Sequence, residues 1–301
     1  MLLAVVVCAL CWCVELYLCR LSVWRHALFW LASLALGVIG SVSGFKFWLR
    51  RSPLADFVAE HLFGVHFDEV SRRILRAMDG SVDAAAARRY VFGCHPHGTH
   101  CTHMIRLAAF GSALPPALGA RLHVVAYWAY LVMPFLNVFY ECVGLMPNIQ
   151  CAMNLTLSCG GSFAVCPDGV DGKWRATDVV GRGAERRRST AIDVHRRSSK
   201  RLGFISLAAR NGAYLVPLLS VNEQQAYDVL PGRLALGYWC ILPLVERMEL
   251  RVGEPISTVG FNYKSGADMR RLADLYYKEL ADLAALDYQV RLIAHADDTG
   301  N

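Results

Sequence analysis

The sequence predicts an α/β domain built on a mixed sheet and preceded by a transmembrane helical hairpin. Two observations support this fold class. Residues 1–51 contain two apolar runs, each long enough to cross a bilayer core, with a short polar gap between them. From Ser52 onward, short apolar segments of strand length are interspersed with helix-like patterns. The predicted organisation is therefore a membrane hairpin over 1–51 and a globular domain over 52–301.

The hairpin prediction depends on the charge pattern of its two runs. Residues 1–19 are interrupted only by Glu15, and residues 27–45 carry no charge. Two spans joined by a short turn would leave the domain on the side of the membrane where the chain begins. A cleaved signal peptide is the alternative for the first run, but a basic start and an obvious small-residue cleavage site are lacking.

The first half of the domain shows helical spacing, then a strand, then a second helix. Residues 53–78 are expected to form an amphipathic helix or helix pair, because their apolar residues recur at helical intervals. Residues 89–93 predict a short buried strand, and residues 103–110 predict a helix that ends before Pro115-Pro116. The apolar stretch 124–145 predicts a buried or interfacial helix and turn, with a third membrane segment as the alternative.

The second half of the domain is expected to hold three strands and two helices. The predicted strands are Ser162–Cys166, Ala213–Val221 and Met248–Val252, and the predicted helices are Gly203–Asn211 and Asp268–His295. Together with the earlier strand, these segments give a mixed order of helices and strands, which is typical of an α/β sheet domain.

The positive charge of the chain is concentrated in one segment. The net charge is +6, and residues 173–201 alone hold ten Lys or Arg against three Asp or Glu. This basic segment indicates an anionic partner, such as lipid headgroups or the phosphates of a nucleotide-like substrate. A solvated loop is the alternative. Nucleic acid is not expected, because aromatic residues do not alternate with the basic ones.

The eleven cysteines are irregularly spaced, and no pair of them recurs at the separation typical of a structural zinc site. This pattern favours a reduced domain that faces the cytosol.

The segment Phe92–Gly98 carries two histidines at the end of an apolar run. His95 and His97 are two residues apart, so on an extended segment both side chains would face one cleft. An imidazole titrates near neutral pH, and the pair therefore indicates proton transfer or metal binding. Gly98 would allow a substrate to approach the backbone closely. Two structural histidines in a loop are the alternative.

Two further histidines extend this segment to the pattern H-x-H-x-x-H, with His100 as the third member and His103 nearby. The pattern resembles part of the metallo-β-lactamase metal motif. That motif carries an aspartate immediately before its third histidine, whereas Thr99 stands at this position here. A metal-dependent hydrolase therefore remains a minor alternative, with one expected ligand missing.

A second candidate site lies in an acidic, glycine-rich turn after the apolar segment Phe163–Cys166. The turn contains Asp168 and Asp171. Such a turn can place a carboxylate beside a histidine and can direct backbone N–H groups at a developing oxyanion.

The chain resembles the type-2 diacylglycerol acyltransferases and their monoacylglycerol and wax-alcohol relatives over about residues 85–295. The hallmark HPHG is complete at 95–98. Further blocks match Arg201-Leu202-Gly203-Phe204, Ala209 through Pro217, Glu223 with Tyr227, Gly253-Glu254-Pro255-Ile256, and Tyr277 through Leu280. The family's G-G-x-x-E turn is altered, because its best match at 167–171 has Asp171 where the family has glutamate.

The resemblance implies a membrane-bound enzyme that transfers a fatty acyl group from acyl-CoA to a lipid hydroxyl. Diacylglycerol is the expected acceptor, and monoacylglycerol or a wax alcohol is the alternative. His95 or His97 would act as general base, and Asp171 or else Asp168 would hold the imidazole. The expected substrate-binding residues are Gly98, Arg201, Gly203 and Glu223, with Arg201 directed at CoA phosphates.

The resemblance also implies a cellular setting. Acyl-CoA serves as substrate, and neither a further cofactor nor a metal is expected. The enzyme is expected in the endoplasmic reticulum membrane with its catalytic domain facing the cytosol, or on lipid droplets, and a homo-oligomer is compatible with this setting. A non-catalytic membrane scaffold is the alternative from a different class of protein.

Overall fold

The structure is a computed structural model of the whole chain, and it describes most of the globular domain. The described residues are 56–78, 87–97, 101–109, 114–126, 144–167, 191–196, 203–223, 226, 228–229, 235–236, 247–284 and 289–294. The predicted hairpin at 1–51 lies outside these ranges. Within them, no helix is both long and apolar enough to cross a membrane.

A seven-stranded mixed sheet organises the domain. Its strands are β1 (Val65–Phe67), β2 (Tyr90–His95), β3 (Leu122–Ala126), β4 (Leu145–Pro147), β5 (Ser162–Val165), β7 (Tyr214–Val221) and β10 (Met248–Val252). They lie in the order β1-β10-β7-β2-β5-β3-β4. All neighbouring pairs are parallel except β10 with β7. The predicted mixed α/β sheet is therefore confirmed.

Two smaller sheets complete the described strands. The strand β6 (Ala191–Arg196) pairs in parallel with β11 (Gln289–Ala294), and β8 (Asp228–Val229) pairs antiparallel with β9 (Ala235–Leu236). The β6–β11 pairing joins the basic segment of the chain to its C-terminal region.

Helices cover both faces of the main sheet. They are α1 (Glu69–Ala77), α2 (Thr102–Ala109), α3 (Pro116–Arg121), α4 (Gln150–Ser158), α5 (Gly203–Asn211) and α6 (Gly266–Asp282), and a short π-helix spans Val58–Leu62. Buried residues of α1, α2 and α3 pack against one face, and those of α4, α5 and α6 pack against the other. The core thus consists of two apolar layers on either side of the sheet.

The central strand β2 contributes to both layers. Tyr90, Phe92 and Cys94 face the layer of α1 to α3, whereas Val91 faces the opposite layer. Alternation of this kind follows from the two-residue repeat of a strand. The continuous apolar sequence of β2 is typical of a parallel strand with both faces covered, and every residue of it is buried.

Several predicted elements agree closely with the structure. The strand predicted at 89–93 is β2, the helix predicted at 103–110 is α2, and the strand predicted at Ala213–Val221 is β7. The bounds of the predicted helix Gly203–Asn211 and of the predicted strand Met248–Val252 match the structure.

Other predicted elements were right only in part. The helix pair over 53–78 is present as the π-helix and α1, but β1 lies between them, because three residues there pair with β10. The helix predicted over Asp268–His295 is present but ends at Asp282. Residues 289–294 pair with β6, which lies inside the basic segment for which a solvated loop was the alternative. The start of the stretch 124–145, where a helix and turn were expected, belongs to β3, which pairs with β5 and β4, and residues 127–143 lie outside the described residues. In each case a pairing partner distant in sequence overrides the local pattern.

Candidate active site

The candidate site lies at the carboxyl edge of the central parallel strands. His95 is the last residue of β2, Cys166 follows β5, and Glu223 lies two residues beyond β7. Because β2 pairs in parallel with both β5 and β7, these three chain ends meet at one edge. In α/β sheets, binding crevices form at this edge.

His95 is fully buried and is held by a hydrogen bond to α6. Its Nε2 lies 3.1 Å from the hydroxyl oxygen of Tyr276, and this hydroxyl lies 3.0 Å from the carbonyl oxygen of Gly93. A carbonyl only accepts, so the single hydroxyl proton of Tyr276 is donated to Gly93. Nε2 of His95 must then donate to Tyr276, and Nδ1 is the basic nitrogen of the neutral ring.

Gly93 is the position that admits the Tyr276 side chain. A Cβ atom at Gly93 would lie 2.8 Å from Cζ of Tyr276 and 3.2 Å from Cε2 of Phe204. Both distances are shorter than ordinary contacts of a real Cβ. Glycine at this position therefore allows the tyrosine hydroxyl to lie between the strand and the histidine.

His97 has a different environment from His95. It is half-buried, and its Nδ1 and Nε2 lie 3.3 and 3.4 Å from Sγ of Cys101. The two histidines were expected to face one cleft as residues of an extended segment. β2 ends at His95 and His97 lies just beyond the strand, where it contacts Cys101 while His95 contacts Tyr276. That both rings face one cleft stays a prediction.

Cys101 is an acidic thiol by virtue of its neighbours. Hydrogen bonding by Cys166 and the electrostatic interaction with His97 hold the pKa of Cys101 well below its ordinary value, although burial opposes this effect. Cys94, by contrast, is fully buried in the core, and burial raises the pKa of its thiol. The two thiols on either side of His97 therefore differ in reactivity.

A buried carboxylate anchors the helix that follows the histidine segment. Glu223 is fully buried, and its Oε1 accepts a hydrogen bond of 2.9 Å from the backbone N–H of Thr102 at the start of α2. Its Oε2 lies 3.3 Å from Nδ1 of the buried His103, a contact with the distance of an ion pair but without hydrogen-bond alignment. Although burial raises the pKa of Glu223, His103 and the Thr102 N–H lower it below its ordinary value overall.

The other end of α2 is anchored by a buried arginine. The guanidinium of Arg106 donates to Asp56 at 2.7 Å and to Glu60 at 3.0 Å, and its side chain is almost fully buried. Glu223 and Arg106 thus fix α2 at two points, and through α2 they fix Cys101 beside His97.

The remaining sequence-predicted site residues are only partly within the described structure. Gly203 is the exposed first residue of α5. Gly98, Asp168, Asp171 and Arg201 lie outside the described residues. Tyr276, Cys101 and Cys166 were not predicted as site residues from the sequence. The only sequence signal for Tyr276 was its place in the amphipathic pattern of a helix that also carries a family block.

The described histidines in and beside the metallo-β-lactamase-like pattern contact different residues. His95 contacts Tyr276, His97 contacts Cys101, and His103 contacts Glu223, whereas His100 lies outside the described residues. Among the described residues, the metal-ligating side chains that do cluster are those of His97, Cys101 and Cys166. The arrangement therefore does not support the hydrolase alternative.

Fold and site together define an α/β protein with a pair of histidines at the carboxyl edge of its central parallel strand. The sequence model of the family described as Diacylglycerol acyltransferase matches residues 75–233, which is more than half of the chain. The chain belongs to the diacylglycerol acyltransferase family. The matched region includes β2, the HPHG segment and Glu223.

Curated relatives agree with this assignment at modest identity. The chain is 27% identical to human acyl-CoA wax alcohol acyltransferase 1 over 48% of this chain and 42% of the relative. It is 28% identical to diacylglycerol O-acyltransferase 2 of Dictyostelium discoideum over 48% of this chain and 41% of the relative. A longer match, at 24% identity, covers 67% of this chain and 62% of diacylglycerol O-acyltransferase 2A of Umbelopsis ramanniana. The matches thus span less than two thirds of these relatives.

One solved structure is similar over most of its length. The 1-acyl-sn-glycerophosphate acyltransferase PlsC from Thermotoga maritima aligns with 87% of this chain and 97% of its own, with a TM-score of 0.45 and 14% sequence identity.

Proposed function

We propose that this protein is an acyl-CoA-dependent O-acyltransferase that acylates a lipid hydroxyl, with diacylglycerol as acceptor and triacylglycerol as product. The observation that carries the proposal is the half-buried His97 of a complete HPHG segment, just beyond the carboxyl end of the central strand. Membership of the diacylglycerol acyltransferase family supports the reaction class. Monoacylglycerol and wax alcohols are the alternative acceptors, the latter suggested by the name of a relative.

His97 is better placed than His95 to contact a substrate. His95 is fully buried and its Nε2 is used by Tyr276, whereas His97 retains exposed surface. A general base must come within hydrogen-bond distance of the proton that it removes. His97 is therefore the proposed base, and His95, Tyr276 and Glu223 are proposed positioning residues.

The proposed reaction is a direct transfer within one cleft. His97 accepts the proton of the lipid hydroxyl while the hydroxyl oxygen attacks the thioester carbonyl. The new C–O ester bond forms, the C–S bond breaks, and the CoA thiolate leaves with the proton that the imidazolium returns. Asp171 or Asp168 is the proposed carboxylate beside the imidazole. Arg201, with the basic segment around it, is proposed to hold the phosphates of CoA.

The proposed location is the endoplasmic reticulum membrane, with the domain facing the cytosol and access to lipid droplets. Support comes from the two apolar runs of residues 1–51 and from the chemistry of the substrates. Both the acceptor and the product dissolve in a bilayer, so a site at the membrane surface would receive one and release the other. A homo-oligomer is compatible with this arrangement.

Acyl transfer in isolated membranes tests the proposal. Labelled oleoyl-CoA is offered with diacylglycerol, monoacylglycerol or a long-chain alcohol, to the wild type and to His97→Ala. Loss of a positioned base is expected to lower the rate by about 100- to 10,000-fold. His61→Ala is the matched control, because this exposed histidine contacts Phe57 far from the site in sequence. Its activity should stay within a few-fold of wild type.

The outcomes separate the alternative functions. Product formation by folded His97→Ala at a near wild-type rate would contradict the assignment of the base. A wild type that forms no product with any acceptor would contradict the acyltransferase proposal itself. Hydrolysis that a chelator abolishes would then favour the metal-dependent hydrolase, and indifference to every histidine substitution would favour a scaffold.

A further inference from the structure

A cluster of one imidazole and two thiols lies beside the proposed base. One ligating atom each of His97, Cys101 and Cys166 lies within 4.8 Å of the others, and all three residues are half-buried. The family resemblance involves only His97 of these three, and the proposed acyl transfer uses neither thiol. The cluster therefore needs an explanation of its own.

The cluster is built from fixed parts of the fold. His97 follows β2, and Cys166 follows β5, which pairs with β2 in parallel register at Gly93 and Val165. The thiol of Cys166 donates to the carbonyl oxygen of Cys94 at 3.0 Å. The neighbouring strands thus hold these two ligands at the same edge of the sheet.

The third ligand is held by the helix α2. Cys101 immediately precedes this helix and has a left-handed backbone conformation with φ of 49°. The backbone N–H of the next residue, Thr102, is bound by the buried Glu223. A non-glycine residue in this conformation is uncommon, and such residues occur frequently at functional sites. The backbone of Cys101 is therefore fixed at the start of α2, beside His97.

The spacing of the atoms suits a tetrahedral ion. With zinc–sulfur and zinc–nitrogen bonds of about 2.3 and 2.0 Å, two such ligands of one tetrahedron are roughly 3.6 Å apart. Sγ of Cys101 lies 3.3 and 3.4 Å from the two ring nitrogens of His97, which is close to this separation. Because the sulfur is almost equidistant from both nitrogens, the ring has to turn to direct the lone pair of one nitrogen at a shared ion. Thiolates and imidazole together select zinc and other soft transition metals over magnesium or calcium.

We propose that His97, Cys101 and Cys166 form a binding site for a soft divalent metal ion of the zinc class. Three protein ligands leave the fourth tetrahedral position open to water or to a small thiol. Binding displaces the protons of the two thiols into solvent as the metal–sulfur bonds form. No metal is required for the acyl transfer itself.

A metal ion bound at this site would affect catalysis. This effect depends on the proposed function, whereas metal binding itself does not. A metal-bound nitrogen has no lone pair left to accept a proton. His97 bound to the ion therefore cannot act as base, and the metal should inhibit acyl transfer reversibly.

Cobalt substitution tests the binding directly on the full chain. The protein is solubilised in detergent, reduced with a phosphine, freed of metal with a chelator and titrated with Co²⁺. A thiolate-to-cobalt charge-transfer band that saturates at one ion per chain is expected, and added Zn²⁺ should abolish it by displacement. Absence of this band in the reduced wild type would overturn the proposal without reference to any variant.

Cysteine variants localise the site. Cys101→Ser and Cys166→Ser should lose the band, or require at least about tenfold more Co²⁺, since loss even of a group behind a ligand weakens metal binding tenfold or more. Cys151→Ser and Cys159→Ser are matched controls, because both thiols are exposed and lie outside the cluster. A band that persists unchanged in Cys101→Ser and Cys166→Ser would place the metal elsewhere and overturn the proposal.

Acyl transfer with and without Zn²⁺ tests the consequence. Each variant is compared with its own metal-free rate, so a folding or activity defect of the variant does not enter. Zinc should inhibit the wild type, a chelator should reverse the inhibition, and Cys166→Ser should need at least about tenfold more zinc. Equal zinc sensitivity in both would overturn the inhibitory role. If the wild type shows the cobalt band but catalyses no acyl transfer, the proposal of a metal site stands and the proposed function is contradicted.

Discussion

At the scale of single residues, the packing of Gly93 against Tyr276 gives the first prediction. Gly93→Ala places a methyl group 2.8 Å from Cζ of Tyr276 and displaces the hydroxyl that binds His95. Overpacking of this kind should lower the free energy of unfolding by about 1–3 kcal/mol. Thermal unfolding of the solubilised full chain measures the change as a lower midpoint.

Gly266→Ala is the matched control for this prediction. Gly266 begins α6, and a Cβ there would meet only the end of the Arg270 side chain at 3.6 Å, which is an ordinary contact. Its unfolding midpoint should stay within a degree or two of wild type. Equal midpoints for Gly93→Ala and Gly266→Ala would show that Tyr276 does not occupy the space above Gly93.

Removal of the Tyr276 hydroxyl gives the second prediction. Tyr276→Phe keeps the ring but leaves the buried Nε2–H of His95 and the carbonyl of Gly93 without this partner. An unsatisfied buried polar group costs about 1–3 kcal/mol. The kcat of acyl transfer should fall while KM changes little, because a positioning residue affects the geometry of the site and not the affinity for substrate. Tyr263→Phe, at an exposed tyrosine, is the control.

At the scale of secondary-structure elements, the sequence predicts those whose burial pattern is local. The strands β2, β7 and β10 are continuous or alternating apolar runs, and α5 is flanked by a glycine and by a turn. The strand β1 was not predicted because it has only three residues, and its pairing partner β10 lies about 180 residues further along the chain. The periodicity of apolar residues within one segment does not indicate a pairing with a distant segment.

The same physical limit applies to the site. The HPHG segment reveals two histidines, but their separate environments depend on contacts across the fold. His95 meets Tyr276 from α6, which is 181 residues away in sequence, and Cys166 reaches the Cys94 carbonyl across 72 residues. The role of Glu223 was predicted as substrate binding from its family block. Its complete burial beneath α2 becomes evident only from the tertiary structure.

The anchoring of α2 by Glu223 gives the third prediction. Glu223→Gln preserves shape but removes the charge at the helix N-terminus, and should cost about 1–3 kcal/mol at neutral pH through the weakened bond to Thr102. The folded-state pKa of Glu223 lies below its ordinary value of 4.5. The ionised carboxylate therefore adds stability that is present above pH 4.5 and is lost as the pH falls through the folded-state pKa.

Unfolding of wild type and Glu223→Gln over a range of pH checks this sign. The difference in unfolding midpoint should be constant near neutrality and should shrink as the pH is lowered below 4.5. A difference that grows on acidification would mean that the carboxyl is favoured in its protonated form. Glu249→Gln, at a partly exposed strand position, is the control.

At the scale of the whole molecule, the chemistry of the proposed substrates and the apolar runs of residues 1–51 give the last prediction. A hairpin of two spans places the start of the chain and the domain on the same side of the membrane. Epitope tags at both ends of the full chain should therefore be removed together when protease is added to sealed microsomes. The chain itself should stay in the pellet after alkaline carbonate extraction, because spans in hydrocarbon resist it while peripheral proteins are released.

Protection of one tag alone would mean a single span or a cleaved first segment, and release by carbonate would mean that neither run is inserted. Two spans with both tags accessible to protease would place the basic segment of residues 173–201, with its excess of seven positive charges, on the cytosolic side, where acyl-CoA and anionic headgroups are both within reach.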